Sequence, residues 1–338
     1  MYTIRYIKAY GLIGCFYKIW DKLIKCEIPM GLGYFFGHSF WKKTIIETYD
    51  GSGQSVHPDI IEYKEKIFMA FTPYPFGIDT YENPCVAIWN NNQWELIPSV
   101  NPLIKEKNFE WHLSDPCLFV YQGYLVLIYR RTEKINSKNS SLFISKSSNG
   151  CKWESPKRLN LSLGKDYISP AIIYSNQVHL VYIDTEEENN KAMILSGDSL
   201  EFQDNAEEIV LQGFRDEKIW HIGIASEENW NEKYAPNKRF DCLVTTISRQ
   251  GKYKLHFGKL CFLQSWVLNL EHEINLKELK GQSVIYKSSF ATIKNIFWYL
   301  GKIVKVYGKF QNAHLCKWMI REGTPCLPLP PMLYLSQS

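Results

Sequence analysis

Charge of one sign is scarce in this chain. Its 39 Lys and Arg stand against 35 Asp and Glu, a net of +4 over 338 residues. No run of like charge is longer than Glu186-Glu187-Glu188, which reads as a solvated loop. A nucleic-acid partner needs a basic stripe or patch, so near balance excludes that class. Long apolar runs are also missing: no uninterrupted stretch reaches the roughly 18 residues that span a bilayer. The 9 cysteines form no CxxC pair, and no Cys/His spacing fits a zinc site, so neither a metal nor another cofactor is expected. An odd thiol count without a framework, with Cys85, Cys117, Cys242 and Cys261 inside apolar strands, reads as buried free thiols in a reducing, cytoplasmic compartment.

Aromatics are plentiful, at 15% with 11 Trp and 21 Tyr. Packing between β layers explains most of them, and sugar stacking is the sharper alternative. The organising stretch is Ser114-Asp115-Pro116 followed by the apolar run to Tyr121, a tight turn at Gln122-Gly123, and a second apolar run ending in Arg130-Arg131. Proline cannot donate to a sheet ladder and is tolerated at a strand's start, so Asp115 is expected at a strand mouth. The phrase recurs. His57-Pro58-Asp59 opens a strand that runs into Ile67–Phe71, and Ser169-Pro170 one that runs into Val178–Tyr182. Trp220-His221 runs into Phe240–Val244, and Tyr286-Lys287-Ser288 into Ile296–Leu300. From His57 through Asp115, Ser169 and His221 to Ser289 the steps are 58, 54, 52 and 68 residues. A period of this size with several strands per unit suits a propeller blade. The expectation is an all-β, five-bladed β-propeller whose polar strand openers converge on one axis.

The ends read differently. Residues 1–55 are expected to be an N-terminal helical arm and connector, and residues 56–338 the propeller. Within 1–28, apolar residues recur near a helical period with Lys18, Lys22 and Lys25 on another face. That helix either packs on the propeller with its lysines in water or lies on an anionic membrane as a peripheral contact at the inner face. Trp41–Tyr49 is the candidate strand that closes the propeller by joining the last blade. Ser226–Lys238 is a long insertion able to shape a pocket, and the proline-rich tail at 324–331 is expected to wrap the surface.

These motifs resemble the five-bladed propeller superfamily of glycoside hydrolases, families 43, 32, 62 and 68. Within it the chain is similar to bacterial and phage propeller proteins with the same first three blades: His57-Pro58-Asp59, Thr72-Pro73-Tyr74-Pro75, Tyr81-Glu82-Asn83-Pro84, Ser114-Asp115-Pro116 and Ser169-Pro170. The resemblance spans about residues 55 to 310. It implies a carboxylate opening each of blades one to three: base or nucleophile, then a sugar-holding tuner, then acid. Asp115 matches the second, but His57 and Ser169 stand where the first and third belong. Glycoside hydrolysis normally uses a pair of carboxyl groups, so other groups must fill in. The candidates for catalysis are Asp115, His57, Asp59 and Glu82. Asp59 is expected on the face of His57 by strand alternation. Arg130, Ser169, Asp184, His221, Tyr286, Lys287 and Ser288 are the candidates for substrate binding. Arg130 would pair with Asp115 or grip an anionic group. Plainer readings stand beside these: an Asp held by backbone N–H groups, a His satisfied in a core, an Arg in a minor salt bridge. The expected function is a glycoside-hydrolase-like enzyme acting on a surface polysaccharide or sugar conjugate, anionic if Arg130 grips it. The alternatives are a non-catalytic glycan-binding propeller and a protein-binding face.

Overall fold

The computed structural model describes residues 46, 48–75, 78–90, 93–174, 177–185, 189–202, 205–214, 217–224, 239–249 and 251–273, and the backbone of 41–44, 283–293, 296–305 and 311–319. The expected helix at 1–28, the insertion at 226–238, the tail at 324–331 and the side chains of Tyr286, Lys287 and Ser288 lie outside the described residues.

The chain is an all-β propeller of five sheets. The first sheet holds β2 (Ser55–Tyr63), β3 (Lys66–Pro73), β4 (Cys85–Asn90) and β5 (Gln93–Leu96). The second holds β6 (Trp111–Tyr121), β7 (Tyr124–Glu133), β8 (Ser140–Ser147) and β9 (Lys157–Arg158). The third holds β10 (Ile168–Tyr174), β11 (Val178–Asp184), β12 (Lys191–Gly197) and β13 (Glu207–Glu208). In the fourth, β15 (Glu217–Ile224), β16 (Arg239–Ser248), β17 (Tyr253–Phe262) and β18 (Trp266–Glu273) gain an outer strand, β14 (Val210–Gln212), which runs parallel to β18. The fifth holds β19 (Ser283–Ile293), β20 (Ile296–Lys305) and β21 (Gln311–Met319), with β1 (Trp41–Thr44) paired antiparallel to β21. Within 41–49, the expected closing strand is therefore the four residues of β1. In the third blade the outer strand is β13, and Leu200–Phe202 forms no strand.

The first strands of the sheets lie side by side in a closed ring, β2 against β6, β6 against β10, β10 against β15, β15 against β19 and β19 against β2. Alternation puts apolar side chains on both faces of each blade, so the core is a set of seams between blades. Tyr63, Phe68, Leu118, Leu127 and Tyr129 fill the seam between the first and second blades. Phe119, Ile128, Ile172, Leu180, Ile222 and Val244 continue through the second, third and fourth. Polar groups stitch the first seam as well: the Tyr63 hydroxyl donates to the carbonyls of Gly123 (2.7 Å) and Ser148 (2.9 Å). The turn after β8 presses on the same seam. Gly150 has φ +75°, and a Cβ there would stand 2.4 Å from the Phe68 ring, so that turn requires glycine. The turn at Gln122-Gly123 has positive φ at both residues, the twist-matched geometry of a two-residue hairpin. Cys85, Cys117 and Cys242 are buried free thiols, Cys261 is partly buried, and Cys151 is exposed. No helix among the described residues is long and apolar enough to cross a membrane.

Candidate functional site

Each inner strand carries a register break near its start. The ladder skips between Val56 and Asp59 in β2, Ser114 and Cys117 in β6, Ile168 and Ala171 in β10, Ile219 and His221 in β15, and Ile285 and Ser288 in β19. A bulge sets an extra residue against the partner strand and re-aims its side chain. In the first three blades that residue is left-handed: His57 at φ 51°, Asp115 at 52° and Ser169 at 50°. Non-glycine residues pay roughly 1–2 kcal/mol for this conformation, and such strain collects at functional sites. The proline that follows each has no N–H to leave unpaired, which suits the gap in the ladder.

The bulges turn their residues onto the ring's axis. Asp115 is wholly buried. Its Oδ1 lies 3.7 Å from His57 Nε2 and 3.8 Å from His221 Nδ1. Its Oδ2 accepts from Arg130 Nη2 at 3.0 Å. The Ser169 hydroxyl stands 2.5 Å from His221 Nδ1, and the His57 and His221 rings are 5.7 Å apart. His57 Nδ1 contacts the Thr72 hydroxyl (3.3 Å) and has Glu82 Oε1 at 3.8 Å. Glu82 follows a single 3-10 turn at Asp79–Tyr81, and its carbonyl accepts the Leu113 amide at 3.0 Å. That bond ties it to β6, where His112 Nε2 meets Glu82 Oε2 at 3.7 Å. Burial, aided by the charge on Arg130, pushes the His112 pKa down to about 4. The ring is therefore neutral at pH 7, and its contact with Glu82 is dipolar.

Other candidates are committed elsewhere. Asp59 does not share the pocket face with His57, because the bulge between them breaks the two-residue alternation. Its Oδ2 instead accepts the Leu118 amide at 2.6 Å, bracing the first blade to the second. Arg130 also donates to the Ser114 hydroxyl (3.3 Å) and the Asp166 carbonyl (3.0 Å), so its fork is occupied by protein. Arg131 stacks on Trp111 at 4.0 Å and donates to Glu106 at 2.6 Å. Asp184 sits in a rim cluster, accepting from Lys138 (2.7 Å), Lys165 (3.0 Å) and the Asp166 amide (3.1 Å). Asp166 itself pairs with Lys138 at 3.1 Å and takes hydrogen bonds from Thr185. Burial works to raise the Asp166 pKa, but the bonds from Thr185, Ser137 and Lys138 outweigh it and hold it low. Of the fifth blade the backbone shows only that Tyr286-Lys287 spans the break.

Two features escaped the sequence. His112 carried no signal, being two residues upstream of the recurring phrase. The second is a ligand set. His57, Asp115 and His221, all buried, present one donor atom each within 4.8 Å of one another. They stand 58 and 106 residues apart, so no short-range spacing rule finds them. Donors about 2.0–2.2 Å from a tetrahedral centre lie about 3.3–3.6 Å from each other. The 3.7 and 3.8 Å separations from Asp115 are close to this, and the two imidazole donors, within 4.8 Å of each other, would draw together around a cation. Two imidazoles and a carboxylate fit a divalent transition metal, and zinc among others accepts them.

No protein-family model and no curated sequence matches this chain. Solved structures do. An N-acetylgalactosamine deacetylase from F. plautii, in complex with blood group B trisaccharide, superposes with TM-score 0.60 at 14% identity, over 82% of this chain and 95% of that one. A thermostable family-43 glycoside hydrolase gives 0.59 at 10%, over 82% and 96%. An exo-1,5-alpha-L-arabinanase from a bovine ruminal metagenomic library gives 0.53 at 11%, over 80% and 94%. At such identity the likeness shows architecture: this chain has a β-propeller fold similar to that of family-43 glycoside hydrolases.

Proposed function

We propose that the protein is a carbohydrate-active hydrolase whose axial pocket holds a divalent cation on His57, Asp115 and His221. One observation carries the reading: three potential ligands from three different blades converge, His57 and Asp115 on strand bulges and His221 on the ladder next to one. The structural neighbours act on or bind sugars, which supports a carbohydrate as the pocket's ligand. A cation there would supply Lewis acidity and lower the pKa of a bound water. The protein's own groups do the rest. Arg130 fixes Asp115 in place. Glu82, between His57 and His112, is the group placed to take and return a proton. The Ser169 hydroxyl, at 2.5 Å from His221 Nδ1, would give that nitrogen up to the cation and stay beside it. The described site has Asp115 where the resemblance asks for one of three carboxylates, and Arg130 is engaged with protein. A neutral glycan or an acylated sugar therefore suits it better than an anionic one.

The test is calorimetric titration of the chelator-treated protein with Zn²⁺, Mn²⁺ and Ca²⁺, alongside a glycan screen for released sugar or acetate. His57→Gln and His221→Gln should each weaken cation affinity by about 100-fold, in the range seen when a metal ligand's environment is lost, while far-ultraviolet circular dichroism stays unchanged. Wild-type protein that takes up no cation defeats the reading. Glycan binding without turnover, cation present or not, would instead favour the non-catalytic sugar-binding propeller.

A further inference from the structure

Three large apolar side chains project almost fully into solvent: Phe109 at 81% exposure, Ile135 at 89% and Leu163 at 68%. They occupy three loops at one end of the propeller. Residues 97–110 precede β6, 134–139 follow β7, and 159–167 precede β10, so all three lie at the end where the bulges sit. The loops touch in sequence around the mouth. The Lys134 amide donates to the Glu110 carbonyl at 2.8 Å, placing the Phe109 and Ile135 tips on neighbouring backbones. A bridge between Asn139 and Lys165 sets the next loop alongside.

The charge around the tips is arranged by depth. Lys105 and Lys107 are exposed beside Phe109. Lys138 and Lys165 keep 37% of their side chains in solvent, while their carboxylate partners Asp166 and Asp184 lie beneath at 0% and 5%. Glu106 is turned inward on Arg131. Lys134 is engaged with Asp79, whose side chain is 41% exposed, and Glu110 is exposed as well. The outer layer is thus apolar tips among the ammonium groups of Lys105, Lys107, Lys138 and Lys165 and the acids Glu110 and Asp79, with Asp166 and Asp184 below.

We propose that this end of the propeller docks on an anionic phospholipid bilayer, with Phe109, Ile135 and Leu163 entering the interfacial layer and Lys105, Lys107, Lys138 and Lys165 at the headgroups. A glycan explains the tips poorly, because sugars stack on flat rings and two of the three are aliphatic. A protein partner fits less well too, since lysine is depleted from protein interfaces. At a membrane surface the same lysines keep their heads in water and their stems along the apolar layer, and each adds attraction to anionic lipid. Docked this way, the axial pocket faces the bilayer. The proposal stands whether or not the pocket binds a cation.

The test is co-sedimentation of the full chain with vesicles of phosphatidylcholine alone and of phosphatidylcholine mixed with phosphatidylglycerol. Wild-type protein should partition onto the mixed vesicles and be released as salt rises. Combined Phe109→Ser, Ile135→Ser and Leu163→Ser should cut that partitioning by at least ~100-fold, given roughly tenfold per apolar side chain removed from the interface. Its melting temperature should be unchanged, because all three are exposed. Both proteins share residues 1–40, so equal binding by the two would overturn the proposal, as would no binding by the wild type. A wild-type dimer that the triple variant abolishes, without vesicle binding, would overturn it too.

Discussion

The axial cluster and the rim cluster are built from the same polar ingredients and balanced differently. At the rim, two carboxylates, Asp166 and Asp184, meet two ammonium groups, Lys138 and Lys165, and each accepts one backbone amide as well. On the axis, the buried Asp115 pairs with one guanidinium, and it and the buried Glu82 are otherwise ringed by the imidazoles of His57, His112 and His221. Matched charges with local amide bonds hold two loops together. Imidazoles around a carboxylate make a site that responds to a proton or a cation. The comparison separates a brace from a binding site without appeal to any relative.

The comparison breaks first at Arg130. Replacing it with Met leaves Asp115 buried without its guanidinium, which should cost about 3–5 kcal/mol, read as a lower urea midpoint. A cost under about 1 kcal/mol would mean that Asp115 is not held by this pair. Acid comes next. His179 is buried, hydrogen-bonded to Ser196 at 2.8 Å, and burial lowers its pKa to about 4. Between its ordinary pKa of about 6.5 and 4, the unfolded chain binds the proton and the folded one does not. The contribution of His179 should therefore be intact above pH 6.5 and fall by about 3 kcal/mol as pH drops to 4. His179→Gln should remove that share of the slope and leave the share of His112, whose pKa is lowered alike. The smallest effect is at the rim. Asp184→Asn frees the partly exposed Lys165, which water can take back, and leaves Lys138 on Asp166, so about 1 kcal/mol is expected, with cation and glycan binding at the axis unchanged. Loss of pocket binding there would erase the distinction between brace and site.

Much of this was legible in the chain. The repeated phrase of polar opener, apolar strand, turn and second strand yielded five sheets, and the openers of the first four blades pointed to the strand starts that carry the bulges. The strand at 41–44 was foreseen as the closure. What could not be read was parity and partnership. Asp59 is two residues from His57, and the bulge that makes His57 useful moves Asp59 off its face. Arg130 looked available because its second and third partners, Ser114 and the Asp166 carbonyl, are set by the fold. Asp184 closes β11 next to the pocket's wall, yet lysines 46 and 19 residues upstream claim it. The convergence of His57, Asp115 and His221 was invisible for the same reason: they are neighbours only around the ring.

That ring is shut by a strand of four residues whose partner begins 267 positions downstream, from Thr44 to Gln311. Until β1 arrives, the nine-residue β21 is the outer edge of the last sheet, and long bare edges recruit strands from other molecules. Contacts this remote in sequence form slowly. The molecule is therefore most prone to clump during the interval before its first strand meets its last, and a clipped terminus would make that interval permanent.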